Sequence, residues 1–260
     1  MEDPKILLFI PAYNCENQIV RVLDQLTCDL MKYISEVIVV NNRSTDNTEQ
    51  AVKDYRDLHP NLPLKLLRNK ENYGLGGSHK VAFKYACEGG FDYVIVLHGD
   101  DQGRLADFER VLKTGYYKKH DCILGARFME GSRLEGYSKF RTFGNIVYDF
   151  LFAAVIRKRV YDLGSGLNMY STSMLKDAFY EKFPDNLMFN YCMIEASEYY
   201  GHDIKFYPIS WREEDQVSNV KMANQAVKVL SMLWDYYRDP SLICSDYREK
   251  AIDSYEADVI

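Results

Sequence analysis

His98, Asp100, Asp101 and Gln102 stand within five residues of one another, interleaved with Gly99 and followed by Gly103. Adjacent carboxylates repel, so something positive is expected to compensate them, and hard oxygen ligands of this kind suit a divalent cation such as Mg²⁺ or Mn²⁺. A diphosphate would supply the remaining ligands. The competing reading is an Asp-Asp turn that merely caps a helix beginning near Leu105. The apolar run just before the cluster, Tyr93-Val94-Ile95-Val96-Leu97, reads as a buried parallel strand, since it is short, rich in β-branched and aromatic residues, and unbroken by polar ones. Ligands of open α/β sheets bind at the carboxyl ends of strands, which is where these four side chains sit.

Three earlier segments repeat the pattern of apolar run, polar turn and helix. Residues 6–10 lead into Pro11-Ala12-Tyr13-Asn14, and Ile19, Val22, Leu23, Leu26 and Leu30 predict one helix over 17–33. Residues 36–40 end in Asn41-Asn42-Arg43-Ser44-Thr45-Asp46, where Ser44 or Thr45 is placed to cap the next helix. Residues 64–68 precede the loop from Asn69 to Ser78, which contains Asn72, Gly74, Gly76 and Gly77 and opens another helix. Its glycines allow close backbone approach to a ligand. It matches neither common phosphate-binding fingerprint. Alternating units of this kind predict an α/β fold, a mostly parallel central sheet with helices on both faces. All four strand ends then face one crevice.

The pattern changes after residue 104. A strand ending in Gly125-Ala126-Arg127 is followed by a polar loop over 129–138, a nearly apolar helix through 146–156, and Arg157-Lys158-Arg159. Then come Asp162-Leu163-Gly164-Ser165-Gly166, a strand at 168–171, a helix near 188–200 and a last strand at 204–209. The expected organisation is a domain over 1–218, with a nucleotide-binding half at 1–104 and an acceptor half at 105–218. A helical tail follows over 219–260, its polar end beyond Pro240 partly disordered.

Composition narrows the partners. A net charge of −6 argues against nucleic acid held mainly through phosphates. Six cysteines without a Cys-x-x-Cys spacing suggest neither a zinc site nor a redox pair, and agree with a reducing cytoplasm. The amino terminus leaves no room for a signal peptide before the first strand. The eleven-residue stretch 146–156 falls short of the roughly 20 residues needed to cross a bilayer.

Taken in order, Pro11-Ala12-Tyr13-Asn14, Val39-Val40-Asn41-Asn42-Arg43-Ser44-Thr45-Asp46, Glu71-Asn72-Tyr73-Gly74, Asp100 with Gln102, Gly125-Ala126-Arg127, Asp162-Leu163-Gly164-Ser165-Gly166, and Arg212 to Lys221 with Ser218 resemble a family-2 glycosyltransferase of the nucleotide-diphospho-sugar (GT-A) fold. Within it the chain is similar to the dolichol-phosphate mannose synthase-like branch. The resemblance covers about residues 5 to 221. It implies a nucleoside diphosphate sugar donor, with Pro11 and Tyr13 flanking the base, Asn42 on base or ribose, and Asp100 with Gln102 holding the metal. Asn14, Asn72, Gly76 and Asp101 fall in the same donor crevice. Arg127 would face donor phosphates or acceptor, and Arg212, Ser218 and Lys221 would close over the diphosphate. Inversion at the anomeric carbon is implied.

Two features depart from the family pattern. Asn41 and Asn42 replace paired aspartates and lack charge assistance. His98 replaces the first aspartate of an Asp-x-Asp pair, and is either a third metal ligand or a local hydrogen-bonding residue. The acceptor decides whether a base is needed. A saccharide hydroxyl requires a carboxylate, for which Glu195 and Glu198 are candidates. A polyprenyl phosphate is already ionised and requires none. The segment 143–159 suits a helix at a membrane surface, with a buried core helix as the alternative. A non-catalytic sugar-nucleotide binding or assembly protein is the competing class, and an oligomer is compatible with all of these readings.

Overall fold

A computed structural model describes residues 3–213 and 222–260. Strand and helix alternate first as β1 (Ile6–Ala12), α1 (Ile19–Leu23), α2 (Cys28–Met31), β2 (Glu36–Asn41), α3 (Thr48–Leu58), β3 (Leu64–Asn69), α4 (Gly74–Glu88) and β4 (Tyr93–Leu97). β1 and β4 are apolar along their length, with nearly every residue buried, whereas β3 carries Lys65 exposed and Arg68 half-buried. Leu7 and Phe9 enter one core layer and Ile6, Leu8 and Ile10 the other, the two-residue period of a strand. Phe83 of α4 packs into the first layer, while Ile19 and Val22 of α1 and Val52 of α3 pack into the second.

The second half adds α5 (Glu109–Thr114), β5 (Cys122–Ala126), β6 (Arg133–Glu135), α6 (Lys139–Ile156), β7 (Leu167–Ser171), α7 (Thr172–Leu175), α8 (Phe189–Tyr199), β8 (Ile204–Pro208), β9 (Ser210–Arg212), α9 (Met222–Arg238) and β10 (Ala257–Val259). One eight-stranded sheet results, in the order β10-β3-β2-β1-β4-β7-β5-β8. β3, β2, β1 and β4 are mutually parallel, and β5 is parallel to β8. β7 lies antiparallel between β4 and β5. The expected α/β class, a mostly parallel sheet with helices on both faces, is the one observed. Both sequence halves contribute strands to this single sheet.

Three local expectations are corrected. The helix expected over 17–33 is two short ones, α1 and α2. Gln25 lies between them, and its side-chain amide donates to Asp101 Oδ1 and the Gly103 carbonyl at 3.2 Å each while its oxygen accepts from Leu105 N at 2.8 Å. Thr27 is extended, with ψ 155°, which ends the helical path. The loop over 129–138 contains β6, which pairs in parallel with β9. The end of the chain is ordered rather than disordered: β10 runs antiparallel to β3, pairing Ala257 with Asn69 and Val259 with Leu67. Ile243 and Tyr255 are buried in the core, so two apolar side chains anchor an otherwise polar tail.

Candidate active site

The carboxyl ends of β1, β2 and β4 are tied to one another through backbone and short side chains. Gly99 N donates to the Pro11 carbonyl at 3.1 Å and Asn42 N to the Ala12 carbonyl at 2.9 Å. A Cβ on Gly99 would sit 2.9 Å from the Pro11 oxygen, so this close approach requires glycine. Asn14, at φ 50°, accepts from Thr45 N at 2.8 Å and donates its own N–H to Ser44 Oγ at 3.0 Å. Pro11 is buried beneath, and the Tyr13 ring is 50% exposed, an aromatic face open to the crevice rim.

Asn42 is placed differently from the expectation of a base or ribose contact. It is buried, its oxygen accepts from Asn69 Nδ2 and Tyr73 N at 2.9 Å each, and its amide donates to Asn72 Oδ1 at 2.8 Å. Its neighbour Asn41 is engaged likewise, with Glu49 and Ser44 N. These amides shape the loops around the crevice. The loop glycines also face protein: Gly76 N donates to the Asp185 carbonyl at 2.8 Å, and a Cβ on Gly76 would lie 2.4 Å from the Pro184 oxygen. Close backbone approach is the reason for the glycine, as the sequence implied, but the approaching group is the 184–185 backbone. Asn72 is exposed at the loop tip.

The polar cluster after β4 separates into two unlike carboxylates. Asp101, at φ 60°, turns inward and is fully buried. Its Oδ2 accepts from Arg21 Nε at 2.7 Å and pairs with Arg212 Nη2, its Oδ1 accepts from Gln25 Nε2 at 3.2 Å, and its carbonyl accepts from Arg212 Nε at 2.8 Å. The mutual repulsion of adjacent carboxylates is therefore relieved by two protein guanidinium groups. Asp101 is not presented to a donor, and Arg212 is held by Asp101. Arg212 N also donates to the Gln102 carbonyl at 3.0 Å, which joins the Asp100 loop to β9.

Asp100 and Gln102 are both partly exposed. Burial pushes the Asp100 carboxyl up to about 6, against the opposing hydrogen bond from Gln102 N at 3.2 Å. A carboxylate so desolvated favours a cation beside it. His98 has its Nε2 shut away from solvent with no hydrogen-bond partner, and burial pushes its pKa down to about 4, so the imidazole is neutral at pH 7. Its ring lies 6.1 Å from that of His79, and a Cβ on Gly166 would meet its Cγ at 2.6 Å. Among the described residues no group of three or more His, Cys, Asp or Glu side chains could hold a metal alone. The residues present fit an ion taking one carboxylate from Asp100 and its other oxygens from a bound phosphate.

Arg127 closes the crevice on the β5 side. Its Nε and Nη2 grip Asp162 at 2.7 Å each, its backbone N donates to the same carboxylate at 2.9 Å, and the rings of Phe128, Tyr137 and Trp211 surround the guanidinium at 5.0–5.8 Å. This guanidinium is committed to Asp162 and the surrounding rings, and its side chain is 10% exposed. Asp149, on α6, is buried near the same pair; burial and the Asp162 charge push it up to about 8.

The profile of glycosyl transferase family 2 matches residues 8–179 of this chain. The chain belongs to that family. Among curated proteins, this glycosyltransferase is 26% identical over 186 residues to the UDP-N-acetylglucosamine–dolichyl-phosphate N-acetylglucosaminyltransferase of Methanococcus voltae, covering 68% of this chain and 73% of that one. It is 22% identical over 264 residues to a dolichyl-phosphate beta-glucosyltransferase, ALG5C, of Trichomonas vaginalis, covering 95% and 76%. Among solved structures, glucosyl-3-phosphoglycerate synthase of Mycobacterium tuberculosis, crystallised with Mn²⁺, UDP-glucose and phosphoglyceric acid, superposes with a TM-score of 0.63 at 17% identity, over 90% of this chain and 80% of that one. At that identity the likeness is one of fold.

One expected catalytic residue of the glycosyltransferase is relocated. Glu195, read as an acceptor base, is completely buried on α8, and neither carboxylate oxygen has a hydrogen-bond partner. Burial, with Asp235 of α9 nearby, pushes its pKa well above the ordinary carboxyl range. A carboxyl group sealed between helices cannot take a proton from an acceptor in the crevice. Glu198 pairs with Lys158. Ser218 and Lys221 lie outside the described residues. Sequence reasoning missed Arg21 on α1 and Gln25 in the turn after it, which hold Asp101.

Proposed function

We propose that this glycosyltransferase moves a hexose from a nucleoside diphosphate sugar to a polyprenyl phosphate at the cytoplasmic face of a membrane, with inversion at the anomeric carbon, as in the dolichol-phosphate mannose synthase-like branch. The observation that carries the acceptor is the sealed Glu195. A hydroxyl acceptor needs a base within hydrogen-bond reach, whereas a phosphate monoester is already ionised near neutral pH and needs only positioning. The dolichyl-phosphate enzymes of Methanococcus and Trichomonas support the same reading. A saccharide hydroxyl is the weaker acceptor, because it would require a carboxylate other than Glu195.

On the donor side, the exposed ring of Tyr13 offers a stacking face for the base, with Asn14 next to it in the chain and Asn72 exposed on the loop that Asn42 holds. Asp100 would hold Mg²⁺ or Mn²⁺, with Gln102 and His98 adjacent; the Mn²⁺ in the mycobacterial crystal supports this for the fold. When bound, such an ion offsets the negative charge of the departing diphosphate. Ser218 and Lys221 are assigned to closure over the donor on sequence alone.

The experiment is transfer of labelled sugar from a panel of nucleoside diphosphate sugars, with Mn²⁺, to polyprenyl phosphate and separately to saccharides. Product on the lipid phosphate alone is expected, with opposite anomeric configuration to the donor, and abolished in Asp100→Ala. Product on saccharides alone would sink the acceptor assignment; full activity of Asp100→Ala would sink the metal assignment.

A further inference from the structure

Two neighbouring helices carry apolar stripes that no described residue covers. On α6, Phe140, Phe143, Val147 and Phe150 recur at intervals of three and four residues and are 79, 67, 41 and 72% exposed. On α9, Val227, Leu230, Trp234 and Tyr237 repeat that spacing and are 69, 44, 59 and 63% exposed. The other faces of both helices are in the core, through Phe152 and Ile156 on α6 and Val229, Met232, Leu233 and Tyr236 on α9. The two helices pack on one another, and their buried faces enter the same core. Exposed apolar surface of this extent marks a contact with something else.

Charge identifies what that is. Residues 139–159 hold five cations against a single acid, Asp149, which is buried; Arg141 pairs with Glu213 and Lys158 with Glu198, which leaves Lys139, Arg157 and Arg159 as the charge of the segment available to a partner. The whole chain is at −6, so this positive bracket around an apolar stripe is local. A second copy docking here about a two-fold axis would bring the same cations to the same interface. An anionic lipid surface instead neutralises them, and aromatic side chains such as Trp234 and Tyr237 favour headgroup depth. Among the described residues no helix is long and apolar enough to cross a membrane, so a face lying in the interface plane is the arrangement open to these two.

We infer that α6 and α9 together form a docking face for anionic membrane surfaces, with Phe143, Phe150 and Trp234 entering the headgroup boundary and Lys139, Arg157 and Arg159 meeting lipid phosphates. The face deepens the membrane location proposed above, but it stands on its own residues and holds whichever acceptor the enzyme uses.

Trp234 provides the readout, since the only other tryptophan, Trp211, is buried. The full chain, without donor or acceptor, is mixed with vesicles of phosphatidylcholine alone or of phosphatidylcholine with phosphatidylglycerol. Sedimentation with the anionic vesicles only, weaker in high salt, is expected, together with a blue shift of tryptophan emission and quenching by brominated acyl chains. Phe143→Glu with Phe150→Glu is expected to lower vesicle partition by at least about tenfold. Lys139→Glu with Arg159→Glu, which leaves the apolar stripes and core untouched, should do the same for anionic vesicles. A wild-type protein that stays in the supernatant with both vesicle types overturns the inference, as does a dimer that the phenylalanine variants dissociate. Because no sugar transfer is measured, failure here is distinct from failure of the donor or acceptor assignment.

Discussion

Asp101 and Arg212 are held together at two points, Arg212 Nη2 on the Asp101 carboxylate and Arg212 Nε on the Asp101 carbonyl at 2.8 Å. This double contact joins the loop that carries Asp100 to β9. The arginine thereby acts on the crevice by positioning, through the residue next to the proposed metal ligand.

Asp101→Asn therefore keeps the shape but leaves two guanidinium groups without their carboxylate. Removing one partner of a buried pair costs about 3–5 kcal/mol. Since Arg21 and Arg212 are 40% and 23% exposed, the expected loss is nearer 2 kcal/mol. Urea unfolding measures this, and Mn²⁺ titration of the folded variant should show weakened affinity because Asp100 is no longer held in register. Wild-type stability and wild-type metal affinity together would show that the pair positions nothing.

Asp149 makes stability depend on pH. Its folded pKa is raised to about 8 by burial and the Asp162 charge, while an unfolded aspartate titrates near 3.9. Between those values the folded state holds a proton that the unfolded state has released, so stability falls as pH rises through this window and levels off above about 8. Asp149→Asn removes that slope. Relative to wild type it should gain on the order of a few kcal/mol between pH 5 and pH 8. Denaturant midpoints at those two pH values decide it, and a constant difference between the proteins would contradict the assignment.

Glu195→Gln is expected to transfer sugar at a rate within about twofold of wild type, because a sealed neutral acid and an amide differ little. Its stability should rise with pH relative to wild type, since glutamine cannot ionise. A fall in kcat of about a hundredfold or more with unchanged fold would restore Glu195 as the acceptor base.

Lys80 Nζ donates to the Phe183 carbonyl at 2.6 Å, to Asp185 Oδ1 at 2.7 Å and to Tyr255 Oη at 3.0 Å, and Tyr255 Oη in turn donates to Asp185 at 2.7 Å. Lys80→Ala should cost about 3 kcal/mol, as it strands buried acceptors. Tyr255→Phe should cost about 1 kcal/mol. If the double variant costs only the sum of the singles, the three groups do not act as a network.

Much of the fold was legible because it rests on short-range pattern. The short runs before Pro11, Asn42, Asn69 and His98 read as strands, the last of them as one covered on both faces, and their polar ends located the crevice. The roles of individual side chains were less legible, since they depend on partners far away in sequence. Asp101 was placed only as far as the donor crevice, and its pairing with Arg21 and Arg212, 80 and 111 positions away, was not visible in the sequence. Arg127 was expected to face donor phosphates or acceptor, whereas in the fold Asp162 and three rings surround its guanidinium. Gly166 shows the converse: a motif glycine whose reason, the ring of His98 packed against it, exists only once β7 lies beside β4.

β10 gives β3 a partner on the side that β2 does not occupy. Three residues late in the chain thus satisfy backbone groups of Leu67 to Asn69 that would otherwise be open to any passing strand. A protein shortened before Ala257 keeps the crevice residues but exposes an apolar parallel sheet to self-association, so its loss of activity would arise from aggregation and not from damage to the chemistry.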